Sequence, residues 1–213
     1  MMSVDIAGIN IPDSALAREA TELVRDTTNE LIYHHSRRTY LFGAHRGLRD
    51  GLTFDAELLY IGAMFHDFGL VAPYASDNQR FEIDGADEAR AFLLKHDIAQ
   101  AEAQTVWTAI ALHTTPEIPL HMDPVIALVT RGVEHDVMGV GYETVSEQER
   151  AEILKVHPRP DFKNQILQAF TEGIKHRPDT TFGNVKADVL AHFVPGFVRG
   201  DFVKVIKESP WGE

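Results

Sequence analysis

The sequence predicts an all-α helical bundle with a C-terminal helical extension, and three observations predict it. Apolar residues recur at helical spacing along most of the chain, Ser, Thr or Asp stands where several of those runs begin, and no series of alternating strand-like runs is joined by hairpin turns. The chain has 213 residues, 44% of them hydrophobic, enough to bury one sizeable core. It is therefore read as one domain over 1–213, with a core at about 13–139 and a helical extension at about 146–208.

After Pro12, the pair Asp13-Ser14 is placed to cap a helix running to about residue 43, with Leu16, Ala20, Leu23, Val24, Leu31 and Tyr40 at helical spacing. His34 and His35 lie on it. Residues 43–52 read as a basic loop, and Thr53 as the cap of a second helix, FDAELLYIGAMFHD. That helix is apolar nearly all round, which marks it as central and buried. It ends on His66-Asp67, followed by Gly69. A long loop with Pro73 then precedes helices at about 85–96, 99–113, 123–137, 146–156, 161–175, 185–193 and 201–208. Pro116, Pro119, Pro158, Pro160, Pro178 and Pro195 mark breaks between or near them.

Charge and composition narrow the function. Lys and Arg total 20 against 32 Asp and Glu, so a net charge of −12 opposes nonspecific binding to nucleic acid or anionic lipid and favours a small-molecule substrate. The segment RRTYLFGAHRGLR comes closest to a basic stripe, and its arginines are more economically read as pocket or surface groups. There is no cysteine, which excludes disulfides, thiolate ligands and cysteine nucleophiles. Any metal must be held by imidazole and carboxylate, which suits a divalent Zn, Fe, Mn, Ni or Co ion. Residues 1–12 lack the basic flank and apolar stretch of a signal peptide, and no apolar run approaches about 18 residues, so a cytoplasmic protein is expected. Self-association into a homo-oligomer is compatible with the sequence and not specified by it.

Eleven histidines are many for this length, and several fall where they bear on chemistry. His66 and Asp67 close a strongly apolar helix, where two unpaired ionisable groups would cost several kcal/mol; a metal ion relieves that cost, and so does a hydrogen bond between them. At a helix end both side chains can converge on one ion. Upstream, His35 and Arg38 share a helical face, so a metal ligand and a cationic substrate-orienting group can line one pocket. His34 and His35 point in different directions, so one of them is surface decoration. Downstream, Asp136 sits near the C-terminal end of another apolar helix, where the helix dipole gives a carboxylate no help and a cation or salt bridge is needed.

This order of residues resembles the HD superfamily of metal-dependent hydrolases: a His followed by Ser and then Arg, a His-Asp pair about thirty residues on, and a late helical Asp. Within it, the segments HSRRTYLFG, FHDFGL, FEIDGADEARAFL and ALHTTP resemble the cyanamide-hydratase-like branch. The resemblance covers residues 13–139 and implies one metal ion bound by His35, His66, Asp67 and Asp136, with His35 chosen over His34 because Ser36 follows it. A second metal is not favoured. His113, closing the apolar run WTAIALHTTP, is expected to face the pocket as a substrate contact or a support to the ligands; His121 lies in a Pro-flanked loop. Members acting on cyclic dinucleotides typically carry Lys after the Gly that follows the doublet. Here Leu70 follows Gly69, leaving Arg38, Arg46 or Arg80 to meet any phosphate.

The resemblance implies a hydrolase or hydratase in which metal-activated water attacks a small molecule, a nitrile such as cyanamide being one target, with Asp67 accepting a proton and Arg38 and His113 assisting. Two rivals stand: a phosphomonoesterase with the same metal and Arg38 neutralising phosphate, and a noncatalytic sensor or scaffold that keeps the metal for stability.

Overall fold

The structure is a computed structural model describing residues 5–208. A short antiparallel hairpin, β1 (Asp5–Ile6) and β2 (Ile9–Asn10), leads into the helices. The core is built from α1 (Ala15–Thr27), α2 (Glu30–Arg49), α3 (Ala56–Phe65), α4 (Phe81–Lys95), α5 (Gln100–Leu112) and α6 (Pro124–Met138). After it come α7 (Glu147–Val156), α8 (Phe162–Ile174), α9 (Lys186–Phe193) and α10 (Phe202–Lys207). The protein is all-α, as its periodicity predicts. No described helix is long and apolar enough to cross a membrane.

Helix α3 is the axis. Its residues from Leu58 to Phe65 are all buried, and α1, α2, α4, α5 and α6 pack around it. Asp55, not Thr53, caps it, accepting from the amides of Glu57 and Leu58. Ser14 caps α1, and Asp123 caps α6 beside Pro124, which suits a first helical position.

Three expectations fail for physical reasons. The first helix is broken in two, because Thr28 turns extended and the Asn29 side chain accepts from the Ile32 amide at 3.0 Å, starting a new helix. That helix then runs through residues 43–49, which had read as a loop. Gly43 and Gly47 are contact points there rather than breakers: a Cβ on Gly43 would lie 2.6 Å from the Leu128 carbonyl oxygen of α6. Reciprocally, a Cβ on Gly132 of α6 would strike the Thr39 carbonyl oxygen of α2. Helix α4 likewise starts at Phe81, before the expected 85. Gly85 lies inside it, where α4 crosses under the end of α3 with the Phe65 carbonyl oxygen 2.8 Å from the missing Cβ.

The segment after α6 folds back on the core. Val145 and Ile153 join the main core, Phe162 and Ile166 pack on Ile32 of α2, and Ile174 and Leu190 pack on Phe81 at the start of α4. Gly132→Ala is expected to lower stability by about 1–3 kcal/mol by forcing α2 and α6 apart, read as a fall in the urea unfolding midpoint with an unchanged slope.

Candidate metal centre

Four core helices bring one residue or pair each to a single buried point. Helix α2 supplies His35, the end of α3 supplies His66 and Asp67, the end of α5 supplies His113, and α6 supplies Asp136. All five are almost completely buried. His35 Nε2 lies 3.1 Å from His66 Nε2 and 3.6 Å from Asp67 Oδ2, and His66 Nε2 lies 3.4 Å from the same oxygen. Ligand atoms about 2.1 Å from one ion stand about 3.0–3.4 Å apart in octahedral or tetrahedral sets. The three atoms therefore fit around a divalent cation, and the group could hold one.

Counting protons sharpens the fit. His66 Nδ1–H donates to the Ala63 carbonyl, His113 Nδ1–H to the Ile110 carbonyl, and His35 Nδ1–H to Asp136 Oδ2, each at 2.7 Å. Each Nε2 is then a bare lone pair. Neither oxygen of Asp67 has a hydrogen-bond partner, nor does His113 Nε2, which lies 3.7 Å from Asp67 Oδ1. Three lone pairs and a carboxylate meet with no donor among them, an arrangement that a cation completes. The ionisation tendencies show a demand for positive charge at the same point. Burial pushes His35 down. It acts the same way on His66, but the Asp67 carboxylate outweighs it and leaves His66 raised. Burial would raise Asp67, yet the surrounding imidazoles hold its carboxyl well below the usual range.

Asp136 is placed differently from the ligand expected. It sits on the Nδ1 side of His35, because α6 packs along α2 itself. Besides His35 it accepts from Arg38 Nε and Nη2, both at 2.9 Å, and from Arg159 Nε at 2.9 Å. Its lone pairs are occupied. With an ion bound, it would orient the His35 ring as the outer carboxylate of a carboxylate–histidine–metal relay. Burial would raise its carboxyl; His35 and Arg38 hold it far below the ordinary value.

Arg38 also departs from expectation. Its guanidinium is spent on Asp136 and on the carbonyls of His157 (3.3 Å) and Pro158 (2.8 Å), so it supports a positioning carboxylate and does not face the cavity over the cluster. His34 turns away towards His157 and Glu30. His121 is exposed on a 3₁₀ turn apart from the cluster. Arg46 pairs with Asp50, and Leu70 packs against Gly173 of α8.

A cavity of about 170 Å³ opens on the cluster, with His35, Asp67 and His113 as its polar floor and Thr114, Val137 and Phe170 among its walls. Thr114, Thr115, Pro116 and Val185 are shared with an adjoining larger cavity of about 440 Å³ that carries Arg80, Asp188 and Arg199.

Sequence reasoning missed what surrounds this floor. Arg159 pairs with Asp136; Arg177 pairs with Asp84 and donates to the carbonyl of Gly69 just after the doublet; Lys186 pairs with Glu82, which also binds Thr114 beside His113. Each pair joins the segment after α6 to the core at a different side of the metal centre. The signal available was two acids, Glu82 and Asp84, in an otherwise apolar helix start. Nothing local pointed to their partners, about a hundred residues away.

A family comparison gives this geometry a name: the HD domain matches residues 32–156. The chain belongs to the HD domain family. No curated protein matches it. HD domains are typically metal-dependent hydrolases, and the buried His35, His66 and Asp67 cluster is consistent with that chemistry.

Three outcomes are expected. Wild-type protein offered Zn or Mn should hold stoichiometric metal by elemental analysis, and Asp67→Ala should hold none. Asp136→Asn should keep the stoichiometry while weakening affinity by about 10–100-fold, the loss typical of an outer support; complete loss would make Asp136 a ligand. Burial would raise Glu82, but Lys186 and Arg80 hold its carboxyl at about 2 against an ordinary 4.5. A lowered carboxylate stabilises the fold fully above 4.5, and that stability is lost as pH falls through about 2. Unfolding free energy followed over this window should fall less steeply in Glu82→Gln than in wild type.

Proposed function

We propose that the protein adds water to a small uncharged substrate, with a nitrile of the cyanamide kind as the best fit and an amide or urea as product. One observation carries the reading: above its metal-binding floor the cavity is walled by apolar and hydroxyl side chains and one carboxylate, Glu134, and no Lys or Arg is among its described lining residues. A small neutral molecule suits such a cavity. A phosphate would find no basic side chain there, since Arg38 is engaged with Asp136 and Arg80 with Glu82. The resemblance of the ALHTTP and FEIDGADEARAFL segments to the cyanamide-hydratase-like branch supports the same choice.

His35, His66 and Asp67 would hold the ion. When bound, a divalent cation supplies Lewis acidity that brings the pKa of water from 15.7 towards about 7. Asp67, a cavity-floor carboxylate without a donor, accepts the proton of the attacking water and passes it to the nitrile nitrogen, which becomes the amide N–H. His113, fixed by its Nδ1–H to Ile110, keeps Nε2 as an acceptor that can orient the water or an N–H of the substrate. Thr114 and Thr115 supply hydroxyls at the cavity wall. The apolar walls exclude bulk water.

The scaffold reading predicts a closed coordination shell, and the cavity opening onto His35 and Asp67 speaks against it. The test is turnover of metal-loaded protein on cyanamide, read as urea formed, beside release of phosphate from nucleoside monophosphates. Urea formation that falls about 10²–10⁴-fold in His113→Ala, with metal content kept, is the expected result. Phosphate release that depends on Arg38 would replace this reading with the phosphomonoesterase. Turnover of neither substrate class would favour the sensor.

A further inference from the structure

Asp136 and Arg159 also line a second cavity, of about 320 Å³, between the end of α6 and the segments carrying α7 and α8. Its lining is unusual for so acidic a chain. It presents three cations, Arg150, Arg159 and Lys163. The carboxylate beside them, Asp136, is buried and already saturated by His35, Arg38 and Arg159. Arg150 is anchored to the carbonyls of Tyr142 and Val145, and Lys163 is exposed on α8; no carboxylate pairs with either among the described residues. The cavity therefore has positive charge to spare.

Its other surfaces specify more than an anion. Tyr142 is exposed, lies under the Arg150 guanidinium at 3.9 Å, and is nearly parallel to the His135 ring, at 16° and 6.4 Å between centroids. Met138 and Leu154 add exposed apolar surface. His135 is 9% exposed; its Nδ1–H donates to the Val140 carbonyl, which leaves Nε2 a buried acceptor without a partner. A molecule that satisfied all of these would carry an oxyanion for Arg150 and Lys163, a flat apolar body for Tyr142, Met138 and Leu154, and an N–H donor for His135. The volume lies in the usual range for small-molecule sites.

We propose that this cavity is a second ligand site, for an aromatic phosphate of nucleoside-monophosphate size, and that its occupancy is felt at the metal centre through Arg159 and Asp136. An oxyanion drawn to the Arg159 guanidinium competes with Asp136 for the same donors. Asp136 in turn fixes the ring of His35 through Nδ1. A change at Arg159 therefore changes how firmly one metal ligand is held, and by reciprocity metal binding changes affinity for the anion. Only the coupling rests on the metal reading. Anion binding is measured on metal-free protein, so the two can fail separately.

Titration calorimetry of metal-free protein with AMP, phenyl phosphate and inorganic phosphate tests the site. Saturable binding is expected for AMP, weaker for phenyl phosphate, which lacks the N–H donor, and weakest for inorganic phosphate. Lys163→Glu, on an exposed position outside the metal machinery, should fold normally and weaken AMP about tenfold or more. No saturation up to about 10 mM, or binding indifferent to both Lys163→Glu and Arg150→Gln, overturns the site. So does binding that requires metal and disappears in Asp67→Ala, since the anion then sits on the metal centre. Metal affinity, measured against a chelating dye, should shift several-fold with saturating AMP in wild type but not in Lys163→Glu at the same AMP concentration, which controls for metal held by AMP itself. Calorimetric binding with no such shift overturns the coupling.

Discussion

Buried lone pairs that face one another without a proton between them are the constraint around which this protein is arranged. The Nε2 atoms of His35, His66 and His113 are emptied of hydrogen by what their Nδ1 atoms bind, and Asp67 lies among them without a donor. In water such groups would separate and hydrate. Here the backbone denies them that escape: two of the Nδ1 partners are helix carbonyls three residues back, which lock each imidazole to the end of its own helix. The third partner, Asp136, is locked by two arginines. Affinity for a cation is thus built into the fold before any cation arrives.

Holding that geometry falls to contacts of two kinds. Between α2 and α6 the backbones touch through Gly43 and Gly132, which sets His35 against Asp136 to within one hydrogen bond. Around the rim, Arg159, Arg177 and Lys186 reach in from the segment after α6 to Asp136, Asp84 and Glu82. Buried ion pairs contribute little net stability, because desolvation offsets much of their attraction, but removing one partner leaves a bare charge and is costly. They fix which surfaces meet. The last helices are therefore fitted to the core at three points, each next to a different element of the metal centre.

Much of this was legible in the sequence and some was not, for identifiable reasons. Helical periodicity and capping residues reveal the all-α class and most helices, since both are local. The break at Asn29 was hidden because the apolar pattern runs through it, and the helix beyond Gly43 because glycine signals a loop unless a partner backbone lies against it. His66 and Asp67 stand out as polar residues on an apolar helix. The geometry of Asp136 could not be read that way: spacing says that a carboxylate is near the site, whereas which nitrogen of His35 it meets depends on how α6 crosses α2. The direction of the Arg38 side chain is hidden for the same reason. It lies one turn from His35, yet its long side chain follows α6 and not the cavity. The partners of Glu82 and Asp84 belong to distant chain segments, and no local pattern announces them.

The spacing of those partners sets an order on the molecule's birth. Glu82 emerges from the ribosome 104 residues ahead of Lys186, and Asp84 93 residues ahead of Arg177. Until the later residues appear, Glu82 has only Arg80 as a cationic partner and Asp84 lacks Arg177, so burying either carboxylate is costly. The two ion pairs beside the metal-binding floor are therefore complete only once the segment after α6 has been made and packed on the core.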